Sequence, residues 1–347
     1  MLILLINFSI KEFLWVSTQK HLTEMKISNS SNRNFYKEIL AKNDLVAAPM
    51  AGITNIPFRK IVRKFFDGLI FTEMVSTEGV SRDIDKSLKL AKITDLDKPI
   101  IIQLFGKNPQ SFAESVKILE DKFDADGYDI NAGCPVKKVI KSGSGAYHLK
   151  DLKNLQAIIT SLRKSTDKPI SLKTRLGYEK DNFVYKEILN ICHNEGIDAL
   201  TIHGRTKAEL FSGDIHYDKI AEIVRLSKII IIGNGNVVDY ESYKKMKKTG
   251  VDGIMIGRKM MKAPWIFKTI KSYPEEYSPN KKELYDLILE IAAYEKEYRG
   301  EKYYLDVVRR LAVWFSKGFV NSSDFRKKVY DSKTDKEFFD ILNTFFN

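Results

Sequence analysis

The stretch Asp129-Ile130-Asn131-Ala132-Gly133-Cys134-Pro135 carries the pattern on which the fold prediction rests. It ends a short apolar run, Gly127–Asn131, and leads at once into a turn with polar and reactive side chains. Seven further runs alternate in the same way with polar or glycine-rich turns and segments of helical periodicity. These runs are Leu45–Pro49, Leu69–Thr72, Pro99–Leu104, Ile170–Lys173, Ala199–His203, Ile229–Gly233 and Gly253–Ile256.

Eight strand-then-helix units predict a closed (β/α)8 barrel, the TIM barrel, which typically takes about 250 residues. The alternative is an open doubly wound sheet, which is less favoured because no early strand leads into a GxGxxG turn. Beyond a linker at Pro274–Asn280, apolar residues recur at helical spacing in three segments. The predicted domains are a poorly ordered extension over residues 1–40, the barrel over 41–273 and a small all-helical domain over 280–347.

Composition narrows the classes of partner and compartment. The chain has 347 residues, and its formal charge of +12 suits a polyanionic partner, although many basic proteins bind none. Two cysteines provide neither a disulfide framework nor a zinc site, so a reducing, cytoplasmic compartment is expected. The five histidines lack metal-ligand spacing, and the apolar run near the N-terminus is too short to span a bilayer.

The turns after the last two strands are candidates for binding a phosphate group. Gly233-Asn234-Gly235-Asn236 allows backbone N–H groups to approach an anion, and Gly257-Arg258 adds a second small turn with a permanent cation. Each turn alone could be an ordinary tight connection. Because barrels often bind phosphate at this pair of loops, the two together favour a phosphorylated cofactor.

Four more side chains at predicted strand ends are candidates for chemistry. Lys173 could stabilise an electron-rich ring or make a salt bridge, and Gln103 could contact a heterocycle or a neighbouring loop. His203 lies in Thr201–Thr206, a context that favours function over a structural role. Cys134 follows a strand in a lysine-rich loop, and a thiol that is mostly protonated at neutral pH can donate a proton. Cys192, in a helical segment, is predicted to be a core residue.

These residues fall in segments that together resemble the tRNA-dihydrouridine synthases. The order and spacing match from about residue 44 to residue 270, and the tail is similar at Trp314, Lys317-Gly318 and Arg326. The matching segments are Pro49–Thr54 with Pro57-Phe58-Arg59, Asn131–Pro135, Lys173–Gly177, Ile202–Thr206, Gly233–Asn236 and Met255–Arg258.

The resemblance implies an FMN-bound barrel with a helical tRNA-binding domain, which reduces the uridine 5,6-double bond in tRNA with NADPH or NADH. It implies that Cys134 protonates carbon 5 of the uracil, with Asn131 and Arg175 as candidates for contacting that base. The residues implied in cofactor binding are Pro49, Met50, Ala51, Gln103, Lys173, His203, Asn234, Gly235, Asn236, Gly257 and Arg258.

Two other functions remain open at this point. One is a flavin barrel acting on a free small molecule, which the helical tail and the basic charge disfavour. The other is a tRNA-binding protein without catalysis, which the joint presence of Cys134, Lys173 and His203 disfavours. The expected partner is tRNA, without a metal or a membrane, and the chain is expected to act as a monomer.

Overall fold

The computed structural model describes residues 34–347, and its central feature is a ring of eight parallel strands. Pairing runs in chain order from β2 to β8, and β1 pairs with β8. A parallel bridge joins Val46 to Leu69, and Ala47 N–H donates to the Leu69 carbonyl at 2.9 Å. The ring is therefore closed, which confirms the TIM barrel and excludes the open doubly wound sheet. The strands are β1 (Leu45–Ala47), β2 (Ile70–Ser76), β3 (Ile100–Phe105), β4 (Gly127–Ala132), β5 (Ile170–Arg175), β6 (Ala199–His203), β7 (Ile230–Asn234) and β8 (Gly253–Ile256).

Helices connect the strands and surround the ring. Within residues 34–347, no helix is long and apolar enough to cross a membrane. The helices of this part are α1 (residues 34–42), α2 (Ile56–Arg63), α3 (Thr77–Val80), α4 (Asp85–Ala91), α5 (Pro109–Lys122), α6 (Lys137–Lys141), α7 (Leu152–Arg163), α8 (Tyr185–Glu195), α9 (Tyr217–Leu226), α10 (Tyr240–Lys247), α11 (Arg258–Lys262) and α12 (Ile266–Lys271).

Each strand has two faces with different surroundings. On β4, Tyr128, Ile130 and Ala132 belong to the main apolar core. The intervening residues Asp129 and Asn131 hydrogen-bond instead to Gln103 of β3 inside the ring. Because side chains alternate along a strand, one face anchors the helices while the other brings polar groups into the barrel.

Helix α1 packs against buried side chains of the barrel strands. Tyr36 and Leu40 are buried in a second core cluster together with Val46, Phe71 and Met255. A Cβ added at Gly253, the first residue of β8, would lie 2.8 Å from a Leu40 methyl group, so the helix fits closely against the start of that strand. The domain boundary predicted at residue 40 therefore falls inside α1. The rest of the predicted extension, residues 1–33, lies outside the described residues.

The C-terminal part contains four helices, one more than predicted: α13 (Lys281–Arg299), α14 (Tyr304–Phe315), α15 (Ser322–Asp331) and α16 (Asp335–Phe346). Helix α15 was missed because only Phe325 and Val329 of its ten residues are buried, too few for a clear apolar stripe. The domain rests on the barrel through α13 and α2. There the Asn55 amide donates to buried Glu295 at 2.9 Å.

Candidate active site

A cavity of about 680 Å³ opens where the strands end. Binding cavities of this size are typical of cofactor and substrate sites, and TIM barrels place their active sites at this face. Among the predicted site residues, only Gln103 does not line the cavity; it lies behind Asn131, to which it is hydrogen-bonded. The others that line it are Pro49, Met50, Ala51, Asn131, Cys134, Lys173, Arg175, His203, Asn234, Gly235, Asn236, Gly257 and Arg258.

Several of these side chains lie within the strands rather than after them. The sequence prediction ended β5 at Lys173, yet the strand continues to Arg175. Thr174 between them is buried, so Lys173 and Arg175 occupy alternate positions on the inner face. A strand that turns polar near its end loses the apolar pattern from which its length was predicted. His203 and Asn234 are likewise the last residues of β6 and β7.

Cys134 is held by its backbone at the rim of β4. The Asn131 side-chain oxygen accepts from the N–H groups of Gly133 at 3.2 Å and Cys134 at 3.0 Å. The Cys134 carbonyl accepts from Ala146 N–H at 3.0 Å. Burial raises the pKa of the Cys134 thiol, against the opposing effects of the Val136 backbone and of nearby positive charges. The thiol therefore stays protonated at neutral pH while it borders the cavity.

Arg175 ties the Cys134 loop to the loop after β6. Its Nε donates to the Gly133 carbonyl at 2.9 Å. Its Nη1 donates to the carbonyls of Thr206 and Leu210, at 2.9 and 2.8 Å. Burial lowers the pKa of this guanidinium to about 10, which leaves it charged at neutral pH. Arg175 thus fixes two loops and adds a positive charge beside the thiol.

Lys173 and His203 form the polar wall next to Arg175. The Lys173 ammonium donates to the Asn234 side-chain oxygen at 3.4 Å. Burial, and then the charge of Arg175, lower the pKa of Lys173. Burial also holds the pKa of His203 well below its usual value, and the surrounding cations act in the same direction. His203 is therefore a neutral imidazole that can donate one hydrogen bond and accept another.

The part of the cavity beside β7 and β8 suits an anion. Gly235 has a φ of +138°, and a Cβ there would meet Ile215 at 2.4 Å, so this turn needs glycine. Arg258 donates to the Asn236 side-chain oxygen at 2.7 Å. The residues that line the cavity include five cations and no carboxylate. These cations are Lys173, Arg175, Arg258, Lys259 and Lys262.

An apolar part of the lining comes from β8 and from the residues after β1, which pairs with β8. It consists of Ala48, Met50, Ile53 and Met255. An apolar wall together with cations fits a phosphorylated cofactor with a flat ring system. By contrast, residues 34–347 hold no group of three or more His, Cys, Asp or Glu side chains arranged for a metal ion.

Sequence reasoning missed two residues of this site. Phe211 lines the cavity and is 49% exposed, with the Arg175 and Arg258 guanidiniums 5.3 and 5.2 Å from its ring centroid. Its sequence signal was an aromatic residue in a polar turn, where no strand or helix periodicity requires one. Asp129 is buried beneath the site, and its carboxylate accepts hydrogen bonds from Gln103 and Ser171. A carboxylate inside an apolar run was the signal here. Cys192 is buried in α8, as predicted.

The chain is similar to several known proteins. A tRNA-dihydrouridine synthase B of Pasteurella multocida is 35% identical over 313 residues, covering 88% of this chain and 93% of the relative. A probable tRNA-dihydrouridine synthase of Rickettsia conorii is 31% identical over 293 residues, covering 83% and 88%. An old yellow enzyme of Trypanosoma cruzi superposes with a TM-score of 0.51 at 13% identity, over 69% of this chain and 89% of that chain, which shows a shared barrel fold. The family model described as dihydrouridine synthase (Dus) matches residues 45–347, and the chain therefore belongs to the dihydrouridine synthase family.

Proposed function

We propose that this protein reduces uridines in tRNA to dihydrouridine, with FMN as resident cofactor and NADPH, or NADH, as electron source. The observation that carries the proposal is the position of Cys134. Its protonated thiol borders a cavity whose other walls suit a flavin and its phosphate. The family membership supplies the substrate class.

The residues of the cavity fit FMN. Asn234, Gly235 and Asn236, with Gly257 and Arg258, would hold its phosphate, while Pro49, Met50 and Ala51 would line the ring. Lys173 and His203 would contact the polar edge of the ring, and Gln103 would act there through Asn131, to which it is hydrogen-bonded. When bound, FMN would supply the hydride for carbon 6 of the uracil, with NADPH, or NADH, as the source of electrons.

Cys134 supplies the other half of the addition. The uracil gains a hydride at carbon 6 and a proton from the thiol at carbon 5, which leaves a thiolate that solvent reprotonates. The positive charges of Arg175 and Lys173 favour that thiolate while it exists. Arg175 and Asn131, at the cavity wall, are the proposed contacts to the base. General-acid catalysis of this kind contributes about 10²- to 10⁴-fold to a rate.

The protein must also hold the rest of the tRNA around the target base. A tRNA base must leave its stack to enter a barrel cavity, and a basic protein surface would hold the phosphates around it. The helical domain beside the barrel is the proposed second contact with the tRNA. We place the activity in the cytoplasm, since two unpaired cysteines suit a reducing compartment.

The function is tested by mass spectrometry of tRNA from a strain that lacks this gene and any masking synthase. We expect dihydrouridine to be lost at defined positions and restored by the wild-type gene, but not by Cys134→Ala. Unchanged dihydrouridine at every site would refute the proposal. Turnover of free uridine as fast as tRNA would indicate a small-molecule reductase, and a purified protein that stays colourless with added FMN would indicate binding without catalysis.

A further inference from the structure

A line of buried hydrogen bonds runs beneath the cavity from β5 to the Cys134 loop. Ser171 Oγ donates to one Asp129 oxygen at 2.6 Å. The other Asp129 oxygen accepts from Gln103 Nε2 at 2.6 Å. Gln103 Oε1 accepts from Asn131 Nδ2 at 2.9 Å, and Asn131 Oδ1 accepts from Cys134 N–H at 3.0 Å. Asp129, Gln103 and Ser171 are fully buried.

We propose that Asp129 is a positioning residue that orients the Cys134 loop by fixing the direction of the hydrogen bonds through Gln103 and Asn131. Asp129 lies outside the cavity lining, so it acts through these residues rather than on substrate or cofactor. The inference deepens the proposed function, because it rests on Cys134 being the proton donor.

The two amide groups, of Gln103 and Asn131, each have a donor end and an acceptor end, so the line of hydrogen bonds has a direction. An ionised carboxylate only accepts hydrogen bonds, so it holds the Gln103 nitrogen toward itself and the Gln103 oxygen toward Asn131. That oxygen in turn holds the Asn131 nitrogen, which also lies 3.0 Å from the Met74 sulfur. The Asn131 oxygen is then left facing the loop, where it accepts from two backbone N–H groups.

The reverse arrangement would be costly. If Gln103 turned over, the Asn131 nitrogen would face the N–H groups of Gly133 and Cys134, and three donors would meet without an acceptor. A buried donor left without a partner costs about 1–3 kcal/mol. A turned Gln103 would also bring its side-chain oxygen against the Asp129 oxygen, where two acceptors would meet without a donor. Asp129 therefore adds to the preference for the observed directions of the two amides.

The polarity survives a change in the protonation of Asp129. Burial raises the pKa of this carboxyl, while bonds from Ser171 and Gln103 and the charge of Lys173 oppose the shift. A protonated Asp129 can donate through the oxygen that faces Ser171, whose hydroxyl is able to accept. With the proton on that oxygen, the oxygen that faces Gln103 remains an acceptor.

The test compares Asp129→Leu, which removes the acceptor, with Asp129→Asn, whose side-chain oxygen can still accept from Gln103. Ser171→Ala is the matched control, because it removes the other partner of the same carboxylate without touching the Gln103 bond. Two measurements are made on the flavin-loaded proteins: steady-state kinetics, which give kcat and KM for tRNA, and the rate at which iodoacetamide alkylates Cys134. The second cysteine, Cys192, is buried, so protein mass reports Cys134 directly.

We expect Asp129→Leu to lower kcat about 10- to 100-fold, as for a misplaced reacting group, with KM for tRNA little changed. Its Cys134 alkylation rate should also depart from wild type by several-fold, on the order expected for a reacting group that has lost its orientation. Asp129→Asn and Ser171→Ala should stay close to wild type in both measurements. If Asp129→Leu does not fold, Gln103→Leu cuts the next link and must change the alkylation rate in the same way.

Wild-type alkylation and kcat in Asp129→Leu would overturn the proposal, and so would equal losses in Asp129→Leu and Ser171→Ala. These outcomes are separable from failure of the proposed function. Alkylation reports the loop even if no dihydrouridine forms, whereas absence of dihydrouridine with wild-type protein would refute the function and leave the alkylation comparison intact.

Discussion

At the scale of single residues, the site combines side chains whose charge states are set by burial. The Cys134 thiol has a raised pKa and the His203 imidazole has a lowered one, so both are neutral at pH 7. Lys173 and Arg175 supply the positive charge next to them. A neutral acid beside fixed cations is suited to give up a proton and to stabilise the anion that remains.

The pKa of Cys134 predicts the pH dependence of uridine reduction. A general acid works only while it is protonated. Uridine reduction should therefore persist below the pKa of the Cys134 thiol in the folded protein and fail above it. Since burial raises that pKa from its ordinary value of 9.0, the alkaline fall should lie above pH 9. This alkaline fall is measured as the single-turnover rate of the reduced enzyme with tRNA at a series of pH values from neutral to above pH 9. A fall centred near neutral pH would contradict the assignment.

The position of Phe211 predicts that its ring helps to bind the tRNA base. Its ring lies on the cavity rim beside two guanidiniums, where a flat base could stack on it. Base–aromatic stacking is worth about 1–3 kcal/mol, so Phe211→Ala should lower kcat/KM for tRNA by roughly 5- to 150-fold. Phe211→Tyr should retain most of the activity. Flavin reduction by NADPH without tRNA serves as the control, and an equal loss there would place the effect on the cofactor instead.

At the scale of elements, the sequence predicted what depends on apolar periodicity. All eight strands were found, with β6 and β8 at the predicted bounds. The failures have a common physical cause. Helix α15 buries only two side chains, Phe325 and Val329, and α1 also buries only two, Tyr36 and Leu40. Helices that bury so few side chains leave little trace in a local apolar pattern.

The contact between α13 and the barrel predicts a coupling between the helical domain and the cavity. Asn55 caps α2 by accepting from Phe58 N–H, donates to Glu295, and lies beside the loop at Met50–Thr54. Glu295→Ala would leave the buried Asn55 donor without its partner. We expect the free energy of unfolding to fall by about 1–3 kcal/mol. Denaturant titration and FMN affinity should both show the change.

The control lies in the same interface. Glu290 of α13 pairs with Lys64, the residue that follows α2, and the two side chains are 29% and 45% exposed. Such exposed pairs contribute about 0–1 kcal/mol, so Glu290→Ala should have a small effect. Equal losses in the two variants would show that the interface depends on general packing rather than on the buried bond.

At the scale of the whole molecule, positive charge is concentrated outside the helical domain. Residues 280–347 contain 13 Lys or Arg and 12 Asp or Glu, a net of +1, which leaves +11 of the total +12 for residues 1–279. Cations also line the cavity. The barrel face around the site should therefore attract tRNA phosphates.

This distribution predicts a strong effect of salt on tRNA binding. Each neutralised phosphate contributes to a linear fall of log affinity with log salt, so KM for tRNA should rise steeply while kcat changes little. Lys138→Gln, on exposed α6 just after Cys134, should reduce the slope. Lys228→Gln, exposed just before β7 at the other end of the barrel, should not. Equal slopes in wild type and Lys138→Gln would exclude this contact.

The candidate site could be predicted in composition but not in its internal connections. Residues near strand ends were identifiable because a parallel barrel brings those ends together. Asp129 and Phe211 escaped notice because a buried carboxylate and an exposed ring acquire meaning from neighbours that are distant in sequence. The position of Gln103 behind Asn131 could not be predicted either, because it depends on how β3 and β4 are placed relative to each other.

The most direct test of the account is a single-turnover reaction of reduced protein with unmodified tRNA, analysed by mass spectrometry of the nucleosides. Wild type and Cys192→Ala should form dihydrouridine. Cys134→Ala should retain flavin but react about 10²-fold or more slowly, as for loss of a general acid. Dihydrouridine formation by Cys134→Ala at the wild-type rate, or none with the wild-type protein, would contradict the account.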